Sequence, residues 1–326
     1  MRCLTVMAGL ALGVLQAGAI QPLALVQTIE LSRVEGRIDH LAYDAAGQRL
    51  FVAALGNNTV EVLDLKKGSH LKSLTGFREP QGLAFLPDLN AIAVANGQGK
   101  GVQVVNGTDY RMGTIVSLGD DADNVRYDAA AKRTYTGYGG GALAAFNPSD
   151  GKVLGQVKLA GHPESFQLER SGSRLYVNVP TAGHIAVVDR TSMTIIARWP
   201  VTGARANYPM ALDEANHRLF VGCRRPAKVL VYDTSGGKET GSFEIVGDTD
   251  DLFYDAEHQR VYVSGGEGFI DVVQAKAGAP FSRLARIPTA GGARTSLFVP
   301  ELGRLFLAVP HRGTQPAEIR IYEAGG

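Results

Sequence analysis

The sequence predicts an all-β fold: a seven-bladed β-propeller of four-stranded antiparallel blades, with the last blade completed by the N-terminal strand. Three observations carry this. A phrase of the type Arg-Leu-aromatic-Val recurs as Arg49-Leu50-Phe51-Val52, Arg174-Leu175-Tyr176-Val177, Arg218-Leu219-Phe220-Val221, Arg260-Val261-Tyr262-Val263 and Arg304-Leu305-Phe306-Leu307, with weaker copies at Ala91–Val94 and Arg133–Thr136. The third residue of each copy falls at 51, 93, 135, 176, 220, 262 and 306, a spacing of 41 to 44 residues. A second phrase of alternating apolar residues, closed by an acid or amide, follows about ten residues later in every repeat, from Val60–Asp64 to Ile319–Glu323. Two independent phrases in one sevenfold register mark an internal repeat of propeller period.

Each repeat carries four short strand-like runs separated by turn residues, a β rather than a helical periodicity. In the first repeat these are Ile38–Tyr43, Gln48–Ala54, Thr59–Leu65 and His70–Leu74. Hairpins rich in glycine and asparagine join the second and third runs, as at Gly56-Asn57-Asn58, Gly139-Gly140-Gly141 and Gly265-Gly266-Glu267-Gly268, where positive φ is needed. After Glu323 only three residues remain, so the seventh repeat lacks its outer strand. Leu25–Leu31 supplies one from the other end of the chain, and the clasp removes two unpaired sheet edges.

Ahead of that strand, residues 1–19 read as a signal peptide: Arg2, the apolar run Leu4–Leu15, and Ala17-Gly18-Ala19 as the cleavage site. The expected product is a periplasmic or secreted monomer, residues 20–326 forming one propeller domain, with no membrane span in the mature chain. Arg2 is one of 33 Lys+Arg, so cleavage leaves 32 basic against 32 acidic residues. A balanced charge without a basic cluster argues against nucleic acid as a partner. Cleavage also leaves Cys223 as the lone cysteine, so no internal disulfide holds the ring, and its apolar neighbours Leu219–Gly222 make it a packed small hydrophobe.

The stretches Leu175-Tyr176-Val177-Asn178 and Asn57–Asp64 resemble the YVTN-type repeat of YncE-like exported bacterial propellers. The resemblance spans essentially the whole mature chain. It implies a periplasmic or extracellular seven-bladed propeller and brings no catalytic set with it.

Familiar catalytic motifs are absent: there is no Gly-x-Ser-x-Gly, His-Glu-x-x-His, Walker loop or Cys-x-x-Cys-His. The glycine-rich Asn96–Gly101 is a hairpin with no helix after it, and the sequon-like Asn57-Asn58-Thr59 and Asn106-Gly107-Thr108 read as turns. Propeller geometry directs attention to the channel mouth, where each innermost strand begins. Counting four residues back from the residue that ends each first strand gives Asp39, Gln81, Asp123, Glu164, Tyr208, Asp250 and Arg294; the next positions include His40, Asn124 and Asp251. The facing hairpins add Lys100, Tyr138, His184, Arg224, Arg225, Glu267, His311 and Arg312.

Candidate ligand-binding residues are therefore Asp39, His40, Gln81, Asn124, His162, Tyr208, Asp251 and Arg294. Four carboxylates from four blades, Asp39, Asp123, Glu164 and Asp250, would repel one another unless relieved by a cation, by Arg294 and His40, or by protonation. Oxygen donors of this kind suit Ca²⁺ or Mg²⁺, so these four are also the candidate metal ligands. The expected function is binding of a small polar ligand or a protein partner at the channel mouth, without catalysis. The alternative is a Ca²⁺- or Mg²⁺-dependent hydrolase of lactonase type, with His40 or His162 moving a proton. His217 and His258 read as solvated turn residues on the opposite face, and His70 as an outer-strand residue.

Overall fold

The computed structural model describes residues 21–325, so the expected signal segment lies outside the described residues. Seven four-stranded antiparallel sheets follow one another along the chain. Blade 1 comprises Leu41–Asp44, Arg49–Ala54, Thr59–Asp64 and Ser69–Leu74, in that order from inside to outside. Blades 2 to 6 start at Pro80, Ala122, Phe166, Arg205 and Thr249 and repeat the pattern. Blade 7 takes Ser296–Val299, Arg304–Val309 and Glu318–Ala324 from the C-terminus, and its outer strand is Leu23–Glu30. The pairing runs from Leu23 opposite Ala324 to Glu30 opposite Glu318. The first strands of all neighbouring blades touch, including those of blades 7 and 1, so the ring is closed.

There is no single core. Seven apolar layers lie between adjacent blades, and the alternation of each strand feeds two of them. In blade 1, Leu50, Val52 and Ala54 pack toward blade 7, while Phe51 and Ala53 pack toward blade 2. Cys223 is fully buried between blades 4 and 5 with Tyr176, Val221 and Leu230, and burial pushes its thiol up to about 12. It is packing, as its sequence context predicts.

The arginine of the repeat phrase clamps neighbouring blades. Arg49 pairs with Asp44 of its own first strand at 2.6 Å and donates to the carbonyl of Gly107 in blade 2. Arg218 repeats this with Asp213, at 2.6 Å, and with Ala275 of blade 6, at 2.8 Å. Arg174 reaches Thr234, and Arg260 reaches Gly325, the corresponding turns of blades 5 and 7. Between blades 3 and 4 the polarity reverses: Arg190 of blade 4 reaches back to Asp128 at 3.1 Å. The phrase is thus a structural device on the face opposite the channel mouth. His258 belongs to it too. It is not a free solvated turn residue, because its Nδ1 meets the Asp255 carboxylate at 2.7 Å; His217 is exposed, as expected.

Candidate functional site

Breaks in strand register place the site. In blades 2, 3, 5 and 6 the ladder between first and second strands slips at Pro80/Leu83, Ala122/Val125, Asn207/Met210 and Thr249/Asp251. Each slip falls on the residues counted as channel-mouth positions: Gln81, Asp123 with Asn124, Tyr208, and Asp250. A bulge releases side chains from the alternation of the sheet and re-aims them, here toward the axis. The blades meet tightly at this level, for a Cβ on Gly82 would stand 2.2 Å from the carbonyl oxygen of Asp123.

The four carboxylates do converge, and the cation at their centre is an arginine of the chain itself. Arg37 Nη2 lies 2.8 Å from Asp39 Oδ2 and 3.8 Å from Asp250 Oδ2. Burial opposes the charge of Arg37, yet Asp39, Asp250, Asp123 and Glu164 together raise its pKa. Its loop is fixed by Gly36, at φ +73°, and by Gly56, whose N–H donates to the Arg37 carbonyl at 2.9 Å. A Cβ on Gly56 would come within 2.7 Å of the Arg37 nitrogen, so the backbones touch there.

Further cations surround the acids. Arg294 sits 2.9 Å from Asp250 and 3.0 Å from Asp248, bridging the two. Arg224 donates to Asp250 Oδ1 at 2.6 Å while its guanidinium stacks 4.0 Å above the Tyr208 ring. His40 faces Asp251 at 3.4 Å and Asp39 at 3.6 Å; burial works against its charge, but the two carboxylates raise it to about 10. His162 donates from Nδ1 to the Gly139 carbonyl at 2.6 Å and turns Nε2 toward Asp123, at 3.5 Å, which holds it at about 9. Protonation supplies the remaining relief. Burial, then the neighbouring Asp123, lifts the Glu164 carboxyl to about 8, so it is mostly neutral near pH 7. Burial raises Asp39 to about 6 against the pull of His40 and Arg37.

The expected residues therefore divide. Asp39, His40, Asp123, His162, Glu164, Asp250, Asp251 and Arg294 form one cluster. Gln81 lies beside it, donating to Asp121 at 2.8 Å. Asn124 is buried with its Oδ1 unpartnered, and Tyr208 is the platform beneath Arg224. Of the hairpin residues Arg224 joins the cluster, while His311 pairs with Glu35 at 2.7 Å and lines a cavity beside Arg37 and Arg294. For a cation, Asp39 and Asp250 are the most buried donors, but Asp39 Oδ2 and Asp250 Oδ2 are already ion-paired, to Arg37 at 2.8 Å and to Arg294 at 2.9 Å, so a metal would have to displace an arginine. Among the described residues no group of three or more His, Cys, Asp or Glu side chains is placed to hold a metal ion together.

Sequence reasoning missed Arg37 and Arg126. Arg37 precedes the first repeat and has no counterpart to align with. Arg126 was legible, since the position one before the strand-ending residue reads Ala42, Ala84, Arg126, Gln167, Ala211, Phe253 and Leu297, a single charge among seven. That level lines the channel below the mouth, with Arg126 on its wall.

No family model matches the chain. It is 22% identical over 238 residues, 68% of its length, to the uncharacterized protein YncE of Salmonella typhimurium (strain LT2), covering 67% of that protein, and equally to the YncE of Salmonella typhi. Among solved structures, a chain of the mitotic checkpoint complex superposes with a TM-score of 0.78 at 10% identity, over 99% of this chain and 98% of that one. A chain of Kuenenia stuttgartiensis hydrazine synthase gives 0.76 at 14% identity, over 85% and 94%. These two likenesses are of fold alone. Repeat, ring and relatives together make the chain a YncE-like seven-bladed propeller. No described helix is long and apolar enough to cross a membrane.

Proposed function

We propose that the chain is an exported binding propeller whose channel-mouth face takes a small polar ligand bearing charge of both signs. One observation carries this: acids and bases from blades 1, 3, 4, 5, 6 and 7 meet at the mouth, most of them recessed, while the side chains of Arg37 and Asp248 are 45% and 41% exposed. Asp39 is 1% exposed, and the side chains of Asp250, Arg224 and Arg294 are 11%, 19% and 24% exposed. A protein partner presses on protruding groups, whereas recessed ion pairs above a channel suit a molecule small enough to enter. The ligand's charged groups would exchange with Arg37 and Arg294 for the carboxylates they now hold. Export rests on the expected signal segment alone.

The test is a thermal-shift panel of amino acids, dicarboxylates and sugar acids, followed by calorimetry on any that stabilise. A ligand at 100 times its Kd raises stability by about 2.7 kcal/mol. The expected result is a stabilising ligand whose effect is lost in Arg294→Gln; a panel without effect, or an effect indifferent to Arg294, removes the reading.

A second reading, a Ca²⁺- or Mg²⁺-assisted lactone hydrolase, draws on the buried oxygens of Asp39 and Asp250 that accept no well-aligned hydrogen bond. There a cation bound by Asp39 and Asp250, with Asp123 and Glu164 nearby, would supply Lewis acidity, and His162 or His40 would carry the proton. An unchanged melting temperature after chelation and Ca²⁺ addition would sink it, as would lactone hydrolysis unaffected by Asp123→Ala and Asp250→Ala.

A further inference from the structure

Below the mouth the channel opens into a cavity of about 400 Å³. Its wall carries two cations, His40 and Arg126, against one carboxylate, Asp251. Asp251 is already served: Oδ2 accepts from the Ser296 N–H at 2.8 Å and faces His40 at 3.4 Å. Arg126 is not. Its Nη1 donates to the neighbouring Val125 carbonyl at 2.9 Å, its guanidinium lies 5.5 Å from the centre of the Phe166 ring, and Asp251 and Asp123 act on it only from beyond ion-pair distance. Around it the wall is mixed, with Phe253 and Leu297 as its apolar part and Ser165, Gln167 and Ser296 as its polar part.

A guanidinium in such a place costs stability, and burial lowers its pKa accordingly. The fold does not require it, because alanine stands at the same level in blades 1, 2 and 5. Every other arginine brought into this site, Arg37, Arg224 and Arg294, has a carboxylate partner. What remains is one positive charge on the channel wall that no carboxylate pairs directly, with Asp251 and Asp123 acting on it from further off.

We propose that this cavity is a subsite for a small monocarboxylate with an apolar body. The carboxylate accepts from the free N–H groups of Arg126, and the body lies against Phe253 and Leu297. A guanidinium and a carboxylate match as a planar pair, which makes an acid a better occupant than a neutral polar molecule. The inference rests on the reading of the mouth as a passage for small ligands, since that is the way in.

The probes are phenylacetate, phenylethanol and phenethylamine, three molecules with one apolar body and a negative, neutral or positive end. Calorimetry on the full mature chain is expected to show phenylacetate binding about tenfold or more tightly than phenylethanol, with phenethylamine weakest. Arg126→Gln is expected to reduce phenylacetate to the affinity of the alcohol, and Arg126→Lys to restore part of the difference. Equal affinity for acid and alcohol in the wild type overturns the proposal, whether or not Arg126→Gln folds; so does phenylacetate binding unaltered by a folded Arg126→Gln. Arg294→Gln separates the two readings. Phenylacetate bound through Arg126 while no panel ligand depends on Arg294 removes the mouth reading alone, and the converse removes this one alone.

Discussion

Arg37 lies 2.8 Å from Asp39 and 3.8 Å from Asp250, so one side chain from the approach to blade 1 neutralises carboxylates of blades 1 and 6 together. The ring of acids that the sequence suggests as a metal site carries its own cation. Replacing Arg37 by Gln should lower stability at neutral pH by about 1–2 kcal/mol, a reduced figure for a side chain half open to solvent. Near pH 5 Asp39 also binds a proton, since its folded value is about 6, and with Glu164 already neutral the loss should shrink. Denaturant melts at the two pH values check this; an equal loss at both would contradict it.

Glu164 makes the protein sensitive to alkali. Its folded value of about 8 stands above the ordinary 4.5, so the native state holds the proton more tightly than the unfolded chain. Ionising it costs stability across that interval as pH rises. His162 at about 9 and His40 at about 10 act in the same direction, their contribution complete below 6.5 and lost as pH climbs through those values. Glu164→Gln should match the wild type near pH 5 and melt higher than it near pH 8.5. A variant that melts lower at both would show the carboxyl to be ionised and needed.

The repeat arginines should govern stability without touching the mouth. Arg218→Met leaves Asp213, 4% exposed, without its guanidinium and cuts the bond to blade 6, at a cost of about 3 kcal/mol. Arg111→Ala removes an exposed pair with Asp109 and should change stability by less than about 0.5 kcal/mol. Chemical denaturation of the two variants gives the comparison directly.

Closure depends on the N-terminal strand. A chain beginning at Leu31 lacks Leu23–Glu30, exposes the edge of Glu318–Ala324 and removes Ile29 from the layer between blades 7 and 1. It should melt at least about 10 °C lower and self-associate through the bared edge, as light scattering would register.

The architecture was legible because its signal is repeated seven times. The Arg-Leu-aromatic-Val phrase marks second strands correctly in every blade, and even the clasp follows from a missing strand at one end and a spare one at the other. The site was half legible. Fixed counting from strand ends found Asp39, Asp123, Glu164, Asp250 and Arg294, because the repeat carries equivalent positions to one height on the axis. It missed Arg37, which lies outside the repeat and reaches the acids through a glycine-supported loop. It also missed Arg126, which lies in the same register but further down the channel than the mouth positions. Charge compensation lies further still from the sequence, since it depends on which acids end within ion-pair distance of which bases.

Convergence of carboxylates from separate blades is most directly tested by a ¹³C NMR titration of the glutamate side-chain carboxyls. One glutamate, assigned by its absence in Glu164→Gln, should titrate near 8, and Asp123→Asn should move it down by removing the largest charge that raises it, burial keeping it above 4.5. Should every glutamate titrate in the ordinary carboxylate range, or Glu164 ignore Asp123, the acids do not meet on the axis.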